Sequence, residues 1–292
     1  MNLAWNDLSQ NILHEKLRLQ TTNPQIQEIV NKFNQAPLSK DDLDAGSYYI
    51  KSGYGQETVS LINQESKAKF PSKSFTDLKL NLQPKDIIAY AYFLKEVEYT
   101  NQFSTNDIPF QDTQVEGFYA KNDLQKRTIK VIDYQNDDHF IIAFQLKDNQ
   151  DQLFLAKGYN MDTPQDIVTE INKYPSTQYN SMSNRDIFQA PNIDLNYRRD
   201  YQELIGQSLA NAKFTDYQIN QMYENIKFSM DNKGARVENE AIVAVEIGAI
   251  LDPPKPKKFI LNKPYWIIMK RTSSSNPYFI LGINNTNLMT RK

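Results

Sequence analysis

The feature that most constrains this chain is a pair of apolar runs at residues 265–269 and 278–283. The first contains Tyr265, Trp266, Ile267, Ile268 and Met269; the second contains Tyr278, Phe279, Ile280, Leu281, Gly282 and Ile283. Both have the length of a strand and are rich in aromatic and β-branched residues. Neither alternates with polar residues, so both faces need cover. Residues 272–277 are all polar or Pro and read as the turn between them. The expectation is a hairpin in the middle of a core, with further layers on both sides. At 292 residues the chain is long enough to bury such a core.

Composition narrows the function classes. With 33 basic and 35 acidic residues, the formal net charge of −2 gives no bias toward nucleic acid or membrane partners. Cys is absent, which excludes disulfides, thiolate metal sites and Cys nucleophiles, and fits a reducing compartment. His14 and His139 are the two histidines, too few for a His-rich metal site, and they argue against a catalytic triad. Gly53-Tyr54-Gly55 lacks the third Gly and the following Lys of a phosphate loop. Asp41, Asp42 and Asp44 read as a solvated helix start, where acids complement the dipole. Nothing nominates a catalytic centre, a cofactor or a metal, so no enzyme is expected. The start of the sequence lacks a basic and then apolar leader, and no apolar run reaches membrane length. The expected location is cytoplasmic, or secreted without a classical leader.

In chain order, residues 3–19 read as an amphipathic helix with Trp5, Leu8, Ile12, Leu13 and Leu17 on one face. Asn23-Pro24 opens a second helix, with Ile26, Ile29, Val30 and Phe33 inward and Pro37 ending it. Gly46, Gly53 and Gly55 mark a turn-rich stretch. A helix is expected over 59–70 and a strand over 86–97. Four strand-like runs follow at 114–120, 127–135, 139–147 and 152–159. Thr163-Pro164 starts a helix burying Ile167, Val168 and Ile171. A strand over 186–196 carries Pro191, so it bends or lies at an edge. Asp200 and Glu203 form a capping box that opens a helix burying Tyr201, Leu204, Ile205 and Leu209. Residues 235–247 alternate. Ala235, Val237, Asn239, Ala241, Val243, Val245 and Ile247 share one face, and Arg236, Glu238, Glu240, Ile242, Ala244 and Glu246 lie on the other. Pro253, Pro254, Lys255, Pro256, Lys257 and Lys258 then read as an exposed segment.

An alternating segment and exposed loop just before a buried C-terminal hairpin resembles the serpin family. Asp231-Asn232-Lys233-Gly234 looks like that family's hinge, Asn262-Lys263-Pro264-Tyr265 like the start of its hairpin, and 278–282 like its final strand. Tyr92-Phe93 followed by Phe103 and Phe110, the four-strand meander, and Leu204 to Leu209 fall in the family's order over residues 57–289. The resemblance implies an α+β fold with mixed and antiparallel β-sheets and helices packed around them. It implies a single domain over 1–292, with a shortened helical region at 1–56, the sheets at 57–289 and a reactive loop near 235–256, exposed or inserted. Three positions depart from the family's sheet latch: Ala89, Val97 and Glu224 stand where the family has Asn, Trp and His.

The resemblance also implies a function. An inhibitory serpin offers its loop to a protease, and the cut loop inserts as a new strand. The hinge residues here are Gly234, Ala235, Val237, Asn239 and Ala241, and the scissile region is Gly248, Ala249 and Ile250. Among the residues that would turn inward, Asn239 is the polar one, and burying its unpaired amide costs about 1–3 kcal/mol. A small or aliphatic residue at the scissile bond suits elastase-like or subtilisin-like proteases. Two alternatives remain: a serpin-fold binding protein that no longer inhibits, and a chain in which 235–247 is permanently a sheet strand.

Overall fold

The structure is a computed structural model that describes residues 1–175, 179–233 and 255–291. The chain forms two compact units, one from residues 1–95 and 196–226 and the other from 96–195 and 227 onward.

The second unit is built on the hairpin. Strand β13 (Tyr265–Arg271) pairs antiparallel with β14 (Pro277–Ile283), Tyr265 opposite Ile283 and Met269 opposite Phe279. On its other edge β13 pairs with β7 (Asp151–Lys157), which pairs with β6 (His139–Phe144), then β5 (Ile129–Asn136), then the two-residue β8 (Asn180–Ser181). All these pairs are antiparallel. Tyr265 to Met269 are all buried, as an uninterrupted apolar run requires. β14 differs from expectation. It is the last strand in the sheet order, and all its residues but Ile283 are half-buried. Of the two runs, β13 is the central one, because it alone has a strand on each edge.

The cover on each face comes from different layers. Helix α5 (Pro164–Asn172) places Ile167 and Ile171 against Trp266, Ile268, Phe154 and Ile141 on one face. Pro164 sits in its first turn, as the sequence predicts. The other face meets a four-stranded mixed sheet in the order β12 (Lys258–Ile260), β9 (Ile187–Pro191), β4 (Thr113–Tyr119), β3 (Ser104–Phe110). β12 runs parallel to β9 and the other pairs are antiparallel. Phe110, Phe118, Phe188 and Phe259 from this sheet pack with Phe140, Leu155, Tyr265 and Ile267 in the largest core cluster. Each such side chain taken out of water contributes about 1.5–3 kcal/mol. β3 was not foreseen, because Ser104 to Asp107 are polar and Pro109 interrupts the run. Ile108 and Phe110, both fully buried, are its core contribution. Helix α4 (Asp123–Arg127), capped by Asn122 with Gln125, precedes β5.

In the first unit α1 (Asn2–Asp7) passes into a π-helical turn over Leu8–Leu13. The helix predicted over 3–19 therefore stops at Leu13, where His14 takes a left-handed conformation with φ 56°. Leu17 is still buried, from extended chain. α2 (Pro24–Gln35) starts as expected, with the Asn23 side chain accepting from Gln25 N. The stretch around Gly53 is a strand, β1 (Tyr48–Tyr54), antiparallel to β2 (Ile87–Phe93). Gly53 is needed there because a Cβ would lie 2.5 Å from Thr58 Oγ1. The turn comes at Gly55, φ 64°, which opens α3 (Gly55–Lys69).

Two further expectations change. The strand predicted over 186–196 is two strands, β9 ending at Pro191 and β10 (Ile193–Asp200), which pairs with β11 (Tyr223–Met230). The helix predicted after Asp200 is one 3-10 turn, Gln202–Leu204, with no side-chain cap. Asp200 is instead held by Arg198, at 3.0 Å from Nε and 2.7 Å from Nη2. Tyr201, Leu204 and Leu209 are buried all the same, packed with Trp5, Leu17 and Phe33, while Ile205 is half-buried.

Candidate functional site

The hinge residues Gly234, Ala235, Val237, Asn239 and Ala241, and the scissile residues Gly248, Ala249 and Ile250, lie outside the described residues. The structure describes the two stems from which that segment departs and to which it returns. Both stems belong to the second unit.

The N-terminal stem is the end of β11. Phe228 stacks on Phe279 with ring centroids 4.5 Å apart, and Met230 is buried. Lys227 and Ser229, either side of Phe228, are exposed, as a half-buried strand dictates. Beyond Met230, Asn232 clasps Phe103 from both sides. Its carbonyl accepts from Phe103 N at 2.9 Å, and its Nδ2 donates to the Phe103 carbonyl at 3.1 Å. Asp231 Oδ1 accepts from Lys233 N at 2.7 Å, an Asx turn that bends the chain. Phe103 and Tyr99 meet edge to face at 5.0 Å in the buried cluster. The Tyr99 hydroxyl is buried with no hydrogen-bond partner among the described residues, and burial pushes it far above the usual tyrosine range.

The sequence pattern singles out Val97 and not Tyr99. Val97 is half-buried beside the cluster, and Tyr99, two residues on, is one of its buried aromatic members. The signal was there: Tyr99 and Phe103 are spaced four apart, both aromatic, just after the Tyr92-Phe93 strand. The other two departures also have structural roles. Ala89 sits opposite Ser52 in the β1–β2 pair, and Glu224 accepts the Tyr201 hydroxyl.

The C-terminal stem is fixed by more groups. Lys257 N donates to Asp186 Oδ1 at 2.9 Å, and Ser183 N donates to Asp186 Oδ2 at 2.9 Å. Asp186 is buried, so its charge depends on these donors. The Lys257 carbonyl accepts from Ile187 N at 3.0 Å. Lys258 N donates to Asp137 Oδ1 at 3.0 Å, and the Tyr134 hydroxyl donates to the same oxygen. That hydroxyl holds the Asp137 carboxyl below the usual carboxylate range, while burial above all pushes Tyr134 up to about 12.

Beneath β12 lies Lys157, its side chain 3% exposed. Its Nζ reaches Asp138 Oδ1 at 2.8 Å, the Ile260 carbonyl at 2.8 Å, Asn262 Oδ1 at 2.7 Å and the Asp137 carbonyl at 3.1 Å. Burial pulls the ammonium down and Asp138 opposes it; Asp138 is held low by Lys157 first and Lys263 second. One cation thus joins β7, the turn between β5 and β6, and the link from β12 to β13. Among the described residues, no group of three or more His, Asp or Glu is placed to hold a metal ion, and no helix is long and apolar enough to cross a membrane.

No family model matches this sequence, and no curated protein matches it. Its fold does match solved structures. Serpin48 from the insect Tenebrio molitor, described as a highly specific serpin, is 13% identical, with 98% of this chain and 90% of that chain covered and a TM-score of 0.53. SRPN18 from Anopheles gambiae is 10% identical, with 90% and 86% covered and a TM-score of 0.50. The fold is therefore the serpin fold in a divergent sequence: α+β, with several mixed and antiparallel sheets and few helices.

Proposed function

We propose that this serpin-fold protein offers residues 234–254 to a serine or cysteine protease as bait, with cleavage at Gly248, Ala249 or Ile250. The observation that carries this reading is the edge of β11. Among the described strands β11 pairs with β10 alone, and the Asx turn at Asp231 bends the chain at its end. A strand formed by 235–247 would run back along β11, antiparallel and directly connected. Its alternation supports the same geometry: Ala235, Val237, Ala241, Val243 and Val245 would face inward, and Arg236, Glu238 and Glu240 would face solvent. Asn239 is the inward polar residue, a cost of about 1–3 kcal/mol against a whole ladder of backbone bonds. The small and aliphatic residues at 248–250 favour elastase-like or subtilisin-like proteases.

A second reading is a binding protein that does not inhibit. It is supported by the replaced latch positions, Val97 and Glu224, with Glu224 committed to Tyr201. One experiment separates the two. The protein is nicked once near residue 249 with an elastase-like protease, and the melts of intact and nicked forms are compared. A much higher Tm for the nicked form, with an SDS-stable protease adduct, supports the bait reading. Coincident melts and no adduct leave the binding reading.

A further inference from the structure

A cleft of about 520 Å³ lies between the outer part of β5 and the segments that lead into β9 and β12. Val131, Tyr134, Arg185, Asp186, Lys255 and Lys257 are among its walls. Its two carboxylates accept hydrogen bonds from neutral neighbours. Asp186 takes the Ser183 and Lys257 amides, and Asp133 Oδ2 takes Gln135 Nε2 at 3.3 Å and the Tyr159 hydroxyl at 3.4 Å. Among the described residues Arg185 and Lys255 have no carboxylate partner, and Lys257 Nζ lies 4.8 Å over the Tyr134 ring. Beside the cleft, Lys126 Nζ donates to the Asn184 carbonyl and Lys130 Nζ to Ser181 Oγ, both neutral acceptors. Of the groups named, five cations stand against two carboxylates, a local excess of positive charge in a chain whose formal net charge is −2.

The same face exposes apolar surface. Ile187, which follows Asp186 directly, is 39% exposed. With Val131, Tyr134 and Pro256 lining the cleft, apolar and cationic groups are interleaved. We infer that the cleft is a docking site for an acidic, apolar-containing peptide segment of a partner protein. Charge complementarity sets the sign of the partner, and the apolar rim favours a polypeptide over a sulfated polysaccharide, which has no side chains to bury. The inference is independent of the bait reading, because it rests on described residues alone.

The test is fluorescence anisotropy of the intact protein with a labelled peptide of alternating Glu and Leu, and with an all-Glu peptide of equal length. The expected result is saturable binding of the mixed peptide, weakened at least tenfold by Arg185→Glu with Lys257→Glu. The control pair Lys79→Glu with Lys85→Glu, in the first unit, should leave binding unchanged. Should the double reversal fail to fold, Arg185→Gln with Lys257→Gln removes the same charges more gently and should weaken binding in the same direction. Binding that is indifferent to these changes overturns the proposal. So does equal affinity for the all-Glu peptide, or tighter binding of a sulfated polysaccharide at the same residues.

Discussion

The two stems of the 234–254 segment are built in opposite ways. The N-terminal stem leaves a two-stranded ribbon and is held beyond its last strand residue by one clasp, Asn232 on Phe103. The C-terminal stem enters a four-stranded sheet and is fixed by Asp186, Asp137 and, below β12, the fourfold-bonded Lys157. The difference teaches where such a fold can be remodelled. Freeing the first stem breaks a few hydrogen bonds at the edge of a ribbon. Freeing the second leaves buried charges without partners, at several times the cost.

The largest effect is expected at Lys157. Lys157→Met should lower stability by about 2–4 kcal/mol, since the Ile260 and Asp137 carbonyls and Asn262 lose a buried donor together. Urea unfolding of the intact chain measures this, and a loss below about 1 kcal/mol would erase the contrast between the stems. Next is Asp186→Ala, which orphans the amides of Ser183 and Lys257; about 1–3 kcal/mol is expected. Limited proteolysis should then show new cutting at 255–257 before any change near 233.

Asn232→Ala should cost less, about 0.5–1.5 kcal/mol, because it removes one side-chain bond and keeps the backbone one. Hydrogen exchange should rise at Phe103 and stay unchanged at Lys257. Equal exchange at both would mean that the stems open as one. On the bait reading the same variant should also speed insertion after cleavage.

The smallest effect is a pH dependence confined to the C-terminal stem. Asp137 and Asp138 both have carboxyls held low in the folded state. Their contribution is present above the ordinary carboxylate pKa of about 3.9 and is lost as pH falls through the lowered values. Asp138→Asn should therefore flatten the acid side of the stability profile. Both groups are close to solvent, so the change is modest, and a profile as steep as the parent's would assign the acid loss elsewhere.

Much of the fold was legible in single segments. The unbroken run at 265–269 could satisfy itself only with cover on both faces, and β13 has it. Asn23-Pro24, Thr163-Pro164 and the break at Pro191 were equally readable, because caps and Pro act within a few residues of themselves. The misses share a cause. The glycines of β1 suggest turns, whereas Gly53 serves a close approach to Thr58, a reason invisible in a linear pattern. β3 was passed over because its polar start hides the inward Ile108 and Phe110. The Asp200–Glu203 box was overruled when Arg198 took the Asp200 carboxylate. Of the candidate site, the alternation and the hinge-like tetrapeptide were visible, while the residues that hold the stems were not.

By itself the sequence determined the central strand, the helix starts and the absence of disulfides. These depend on the period of apolar residues, on short-range capping and on Cys content. Only the tertiary structure decided that Tyr99 and Phe103 underlie Asn232, that β14 is the last strand of its sheet among the described residues, and that Lys157 ties three segments together. Each rests on contacts between residues far apart in the chain, from 103 to 232 or from 157 to 260, and no local pattern encodes such pairings.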